Sequence, residues 1–215
     1  MRREDEQIES RRNLIWGELT FKAGLTRTLD FHVSIQPMLC ERIVPEPGSP
    51  VAAENHAGFG DVTLRLKQNL FGNDGGALHV LTFSGCARLP TGGAAGAGRP
   101  EFGLALPCEV DISHSFDIEA QLEGESRWDR TSGQRETHLN QSLIFDYRFG
   151  PAHRLEAFAE GAGFWNTGQH TYQATLNVGP AFYASSALRF DAGVHIPLTR
   201  TPLTREAFAG LSWRV

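Results

Sequence analysis

The chain lacks any apolar run near the ~18 residues that a membrane-crossing helix requires, so insertion as helices is excluded, whereas insertion as strands is not. Helical periodicity is also missing. No stretch keeps apolar residues three and four apart, and 23 glycines are spread along the chain, many where they would weaken a helix. Cysteine is scarce: Cys40, Cys86 and Cys108 are odd in number and show no Cys-x-x-Cys spacing. They support neither a disulfide framework nor a zinc site and read as small hydrophobes. Lys and Arg are scattered and the formal net charge is −5, which leaves no electrostatic footprint for nucleic acid. Eight histidines offer no ligand spacing such as His-x-x-x-His, so neither a metal nor a cofactor is implied. Met1 to Arg12 mixes both charge signs without an apolar centre, so no export signal is written in these residues.

What the chain does have is alternation. From Phe116 to Asp129, Asp117, Glu119, Gln121, Glu123, Glu125, Arg127 and Asp129 share one face, while Phe116, Ile118, Ala120, Leu122 and Trp128 share the other. Similar patterns cut by turn residues predict eleven strands, over 14–25, 28–42, 58–71, 77–90, 102–113, 116–129, 135–149, 154–165, 170–184, 187–199 and 205–215. The fold class is all-β. One β-barrel domain is expected over 14–215, preceded by a charged N-terminal remnant, 1–13, that is expected to be disordered. Connections near Thr26, Gly72 to Gly76, His114, Pro151 and Ser185 are tight. Those from Val44 to Gly58, Thr91 to Glu101, Asp129 to Gln134, Asn166 to Gln169 and Arg200 to Thr204 are longer on average, and such parity describes an outer-membrane up-and-down barrel. Pro37 and Pro107 fall inside predicted strands, where the missing N–H predicts a kink or bulge.

The apolar faces carry residues such as Leu29, Phe31 and Val33, or Leu139, Leu143 and Phe145. The opposite faces supply the candidate lumen lining: Glu18, Lys22, Asp30, His32, Asp61, Arg65, Lys67, Arg88, Glu109, Asp111, Asp117, Glu119, Glu123, Glu125, Arg127, His138, Asp146, Arg148, Glu156, Glu160, Arg189, Asp191 and His195. Alternation alone leaves two homes open, a barrel wall between lipid and a polar lumen or a soluble sheet with one wet side. Inside a barrel these charges either line a channel or pair across it and close it, and their excess of carboxylates points toward cations. Trp16, Trp128, Trp165, Trp213, Tyr147, Tyr172 and Tyr183 lie mostly near predicted strand ends, where interfacial girdles are expected.

Catalytic residues are not assigned. His138, Asn140 and Ser142 share a face, but residues two apart on a strand stand about 7 Å apart, too far for a His–Ser hydrogen bond. Ser84 lacks a nucleophile-elbow context. Gly92 to Gly98 lacks the Gly-Lys-Ser/Thr of a phosphate loop and reads as a flexible surface loop.

Several segments carry a family likeness: Phe21-Lys22-Ala23-Gly24-Leu25-Thr26, Gly58-Phe59-Gly60-Asp61-Val62-Thr63-Leu64-Arg65-Leu66-Lys67, Asn73-Asp74-Gly75-Gly76, Arg88-Leu89-Pro90-Thr91-Gly92 and Ala209-Gly210-Leu211-Ser212-Trp213-Arg214. From Leu14 onward the chain resembles the outer-membrane, transporter-like barrels labelled the meta-pathway of phenol degradation family. The resemblance implies a closed transmembrane β-barrel in the bacterial outer membrane that passes or binds small, often hydrophobic or aromatic molecules. Its implied partners are such a solute, the lipid bilayer with its lipopolysaccharide, and the outer-membrane insertion machinery. Two alternatives stay beside it, a structural or receptor barrel closed by ion pairs and a soluble ligand-binding barrel or sandwich. Family members usually begin with an export signal and one further strand, and many outer-membrane barrels end in an aromatic residue where this chain has Val215. Strand parity therefore predicts a twelfth strand ahead of Leu14 in the full-length protein.

Overall fold

A computed structural model describes residues 10–44, 54–72, 79–93, 96–129, 132–199 and 206–214. It is all-β: β1 (Ser10–Trp16), β2 (Leu19–Gly24), β3 (Leu29–Ile35), β4 (Met38–Val44), β5 (Glu54–Gly58), β6 (Val62–Phe71), β7 (His79–Leu89), β8 (Glu101–Ser113), β9 (Phe116–Asp129), β10 (Gln134–Phe149), β11 (Leu155–Asn166), β12 (Thr171–Tyr183), β13 (Leu188–Pro197) and β14 (Glu206–Trp213). An eleven-stranded antiparallel meander runs β14-β13-β12-β11-β10-β9-β8-β7-β6-β3-β2. It curls until residues of both edge strands line one cavity. With ten antiparallel steps between eleven strands, β2 and β14 run in the same direction, so the two edges cannot pair antiparallel with each other. Among the described residues no ladder joins them directly.

The first three wall strands are each broken in two. Their upper pieces form a separate sheet, β1-β4-β5, beyond the rim that carries the long connections. One break lies at Gln36–Pro37, where the ring removes a ladder donor and the Gln36 carbonyl accepts from Gly60 N at 2.8 Å. Residues 10–13, expected outside the domain, belong to β1 and pair with β4. The mixed charges of that segment disguise a strand that stands above the apolar wall. Residues 1–9 lie outside the described residues, as do 45–53, 73–78 and 200–205 within the predicted connections.

At Pro107 the β7–β8 ladder lapses between Leu81↔Cys108 and Ser84↔Ala105, while Pro107 still faces Gln121 on β9. Pro180 marks a similar lapse between β12 and β13, from Val178↔Val194 to Ala181↔Asp191. One rim carries connections 25–28, 72–78, 114–115, 150–154 and 184–187. The other carries 90–100, the longest connection that the described strands leave between them.

The burial pattern decides between the two homes. Among described residues the buried hydrophobes are Ala105, Ala162 and Ala181, and no large side chain is fully buried. Phe21, Leu66, Leu104, Leu122, Phe145 and Leu211 are exposed, while Asp117, Glu156, Thr175 and Asn177 are buried. A water-soluble domain of this length hides its large apolar side chains, so this inverted distribution belongs to a wall facing lipid. Aromatics band both rims of the outer face: Trp128, Trp165 and Tyr172 near the long connections, and Tyr147, Phe149 and Trp213 near the tight turns. The Trp16 side chain lies outside the described residues. Tyr183 departs from the girdle expectation. It shares the register of Arg189 on the inner face and donates its hydroxyl to Glu156 at 3.2 Å, because Phe182, one residue earlier, takes the lipid side.

Candidate functional site

Cross-strand partners share a face, so the register stacks the inner side chains in rows. One row runs Lys22, His32, Arg65, Cys86, Gly103, Glu125, His138 and Asn166. The next holds Asp30, Lys67, Ser84, Ala105, Glu123 and Asn140. Further rows bring Glu109, Glu119, Glu160 and His195 into line, then Asp111, Asp117 and Asp146, then Arg148, Glu156 and Asp191. Arg189 sits opposite Tyr183, Arg88 opposite Glu101 and Arg127 opposite Glu136. Glu18 and Asp61 occupy the breaks in the first wall strands and line the cavity there.

Position along the wall sorts these charges. Lys22, His32, Arg65 and Lys67 lie on β2, β3 and β6, whereas Glu109, Asp111, Asp117, Glu119, Glu123, Glu125 and Asp146 lie on β8, β9 and β10. Four arginines are neutralised where they stand: Arg88 on Glu101 at 2.8 Å, Arg127 on Glu125 at 2.5 Å, Arg148 on Asp117 and on Glu156 at 3.5 Å, and Arg189 on Glu156 at 3.1 Å. Among the described residues Lys22, Arg65 and Lys67 enter no ion pair, nor do Glu109, Asp111, Glu119 or Asp146. The first strands therefore carry the cations Lys22, Arg65 and Lys67 beside the carboxylates Glu18, Asp30 and Asp61, whereas the wall of β8–β10 is left with net negative charge. Carboxylate oxygens of Glu109, Asp111 and Asp117 come within 4.8 Å of one another, a spacing that a hard cation would bridge, and Arg148 answers only Asp117.

Polar neighbours hold the remaining carboxylates. Asn140 donates to Glu125 at 2.7 Å and Asn177 to Glu160 at 2.8 Å, and His195 Nδ1 meets Asn177 Oδ1 at 2.7 Å. His138 lies 3.4 Å from Glu136. Beside this network Phe158 and Phe208 reach inward with ring centroids 6.3 Å apart, and His195 stacks 5.1 Å from Phe208. They lie over Gly179 and Gly193, where an added Cβ would come within 2.8 Å of Phe158 and 2.7 Å of Phe208.

A cavity of about 1880 Å³ lies inside the wall, and of this network it is lined by Glu136 and His138, whereas Glu160, Asn177, His195 and Phe158 stand outside its lining. Gln36, Asp129 and Gln169 line it at the rim of long connections. Lys22, Arg65, Lys67, Glu119 and Gln121 line its middle, and Ser186, Ala187 and Arg214 its far end beside a tight turn. The cavity is thus bounded by both rims.

Asp61 does something other than line the wall. Its carboxylate accepts from Gly92 N at 2.8 Å and Ala97 N at 2.7 Å, and Thr91 Oγ1 accepts from Val62 N at 2.9 Å. Gly92 and Gly96 come so close to the Gly60–Asp61 segment that a Cβ on either would collide with it. The Gly-rich connection is therefore anchored inside the mouth rather than lying out on the surface, and Gly96 and Ala97 border the cavity. The two blocks of sequence that carry the family likeness meet here. Asp61→Ala is expected to release this loop, which limited proteolysis reads as new cleavage between 91 and 100 without loss of the barrel core.

Alternation left Glu101, Glu136 and Phe158 off the candidate roll. Glu101 lay inside a predicted connection, yet it is buried, pairs with Arg88 and accepts from Trp128 N at 2.9 Å. Glu136 shares the parity of His138, and Phe158 that of Glu156 and Glu160, so the same rule applied without regard to polarity finds both.

An antiparallel barrel with a lipid-facing apolar wall and a charged, hollow interior defines the class of outer-membrane-type β-barrels. The family described as "Putative MetA-pathway of phenol degradation" matches residues 10–215, and the chain belongs to it. An outer membrane channel from Pseudomonas putida F1 has a similar fold, with a TM-score of 0.65 at 12% identity over 89% of this chain and 77% of that one. The porin NanC is similar at a TM-score of 0.56 and 8% identity over 96% of this chain and 99% of that one. A comparison with curated proteins gives no significant match.

Proposed function

We propose that the protein is a passive pore of the bacterial outer membrane, admitting small molecules through its polar lumen without covalent chemistry. The observation that carries this reading is the cavity of about 1880 Å³ bounded by residues of both rims. Its rim of long connections faces outward and its tight turns face the periplasm. The family description ties the group to phenol degradation. An aromatic solute bearing hydroxyl or charged substituents suits a lining of Lys22, Arg65, Lys67, Glu119 and Gln121 better than a bare hydrocarbon does. The lumen-lining roles of the charged residues, the outer-membrane location and encounter with the insertion machinery belong to the same proposal.

A second reading, a receptor barrel closed by ion pairs, draws on the cluster of Asp117, Arg148, Glu156, Arg189 and Tyr183. Proteoliposome swelling separates the two. The pore reading expects swelling in small hydroxylated and zwitterionic aromatic solutes, falling off as solute size grows. Swelling no faster than in protein-free liposomes for every solute would favour the closed barrel.

A further inference from the structure

The lipid-facing wall is not uniform. Between β3 and β9 it holds an apolar concavity of about 900 Å³ bordered by Phe31, Leu64, Leu66, Phe83, Phe102 and Leu104. Register places these side chains on the outer face, opposite in parity to Arg65, Ser84 and Glu123. The floor is formed where Gly85 and Gly124 flank Leu104, one pair beyond the lapse in the β7–β8 ladder. Neither glycine answers a close approach. A Cβ at Gly85 would meet only Leu104 Cδ2 at 3.5 Å, and one at Gly124 only Leu139 Cδ2 at 3.8 Å, both ordinary contacts. Glycine in a strand interior costs stability, and here neither a bulge nor crowding accounts for it. What the two positions do provide is the hollow itself.

Directly above the hollow, toward the rim of long connections, stand two guanidiniums. Arg135 pairs across the β9–β10 ladder with Trp128, donates to Pro100 O at 2.8 Å and Ser126 Oγ at 3.3 Å, and lies 5.8 Å from the Phe102 ring. Arg99 lies 4.6 Å over the Trp128 ring. Both arginines are exposed, and among the described residues neither has a carboxylate partner. An aromatic ring beside a guanidinium restrains it, and Arg135 keeps N–H groups beyond the two that reach Pro100 and Ser126 with which to meet a phosphate.

An apolar trough in the wall capped by two unpaired, pre-oriented arginines is complementary to an anionic amphiphile whose head sits at the outer interface and whose chain runs down into the bilayer. We infer that this face is a binding site for the phosphorylated, acylated sugar of lipopolysaccharide, with a phosphate on Arg99 and Arg135 and an acyl chain along Phe102, Leu104 and Phe83 over Gly85 and Gly124. The inference rests on the outer-membrane placement and outward orientation proposed above, not on an open lumen.

The test uses the whole chain reconstituted in phosphatidylcholine nanodiscs and exposed to purified bisphosphorylated lipid A, with retained lipid read by native mass spectrometry. Wild type is expected to retain about one lipid A, with the double variant Arg99→Ala/Arg135→Ala weakening retention about tenfold. Gly85→Leu/Gly124→Leu fills the trough from the other side and is expected to weaken it comparably, with the barrel shown intact by its heat-modifiable mobility. Phosphatidylglycerol, which offers one phosphate and no sugar, is expected to compete poorly. Retention unchanged in both double variants, displacement by phosphatidylglycerol at equal concentration, or no retention by wild type would each overturn the site. Conductance of the same preparations separates the two proposals: wild type that conducts but retains no lipid A refutes the site while leaving the pore standing.

Discussion

Gly179→Val is expected to abolish the folded barrel, seen as loss of the heat-modifiable band and of protease resistance. The Cβ of any larger residue there would stand 1.9 Å from the Ala192 carbonyl oxygen and 2.8 Å from the Phe158 ring. Backbone of the neighbouring strand cannot yield without breaking the β12–β13 ladder, which already lapses at this point. Overpacking of this kind costs ~3 kcal/mol or more when the obstacle is main chain. Gly161→Val is the matched control. It lies on the same sheet with nothing within 4 Å of an added Cβ, and a β-branched residue suits a strand, so the barrel is expected to form unchanged. Equal behaviour of the two variants would show that the Phe158–Phe208 packing over Gly179 and Gly193 does not hold this part of the wall together.

The second large effect concerns charge selection. Among the described residues Lys22, Arg65 and Lys67 enter no ion pair, nor do Glu109, Asp111, Glu119 and Asp146 on the facing wall, and these unpaired carboxylates outnumber the unpaired cations. Cation preference is therefore expected for the wild type. A unit charge about 6 Å from a permeating ion in water is worth about 0.7 kcal/mol, so two neutralised charges change the permeability of each ion about tenfold, in opposite senses for cation and anion, and the ratio by up to about a hundredfold. Glu119→Gln/Glu123→Gln should lower the cation-to-anion ratio and Arg65→Gln/Lys67→Gln should raise it, as read from reversal potentials in a salt gradient. Both shifts should shrink in high salt, since lumenal charges are screened by the ions they select. Reversal potentials that ignore both pairs would remove these residues from the conduction path.

Much of this architecture is legible in the chain because a barrel wall is the simplest hydrophobic code available. Side chains alternate strictly, so the stripe from Phe116 to Asp129 assigns its own faces, and the register keeps Asp117 to Arg127 at alternate positions in step with the charged residues of β8 and β10. Pro37 and Pro107 announced interruptions because a missing N–H acts locally. Contacts between distant segments were not legible. Nothing near Asp61 tells that its carboxylate caps amides about thirty residues on, and the Gly-rich stretch read as a free loop because glycine serves flexibility and close approach alike. Tyr183 was assigned by its place near a strand end, although the parity of Phe182 already put it inside. The segment before Leu14 shows no apolar face in its sequence, yet its backbone from Ser10 pairs with β4. Which arginines are neutralised and which lysines are left over depends on neighbouring strands, so the contrast between the two walls emerges only from the register.

The most direct measurement is single-channel recording of the purified protein in a planar bilayer, with Asp61→Ala beside it. A lumen bounded by residues of both rims should give discrete, long-lived conductance steps in the wild type, and larger steps once the loop held by Asp61 leaves the mouth. A correctly folded, heat-modifiable barrel that inserts and yet passes no current in either form would contradict the pore.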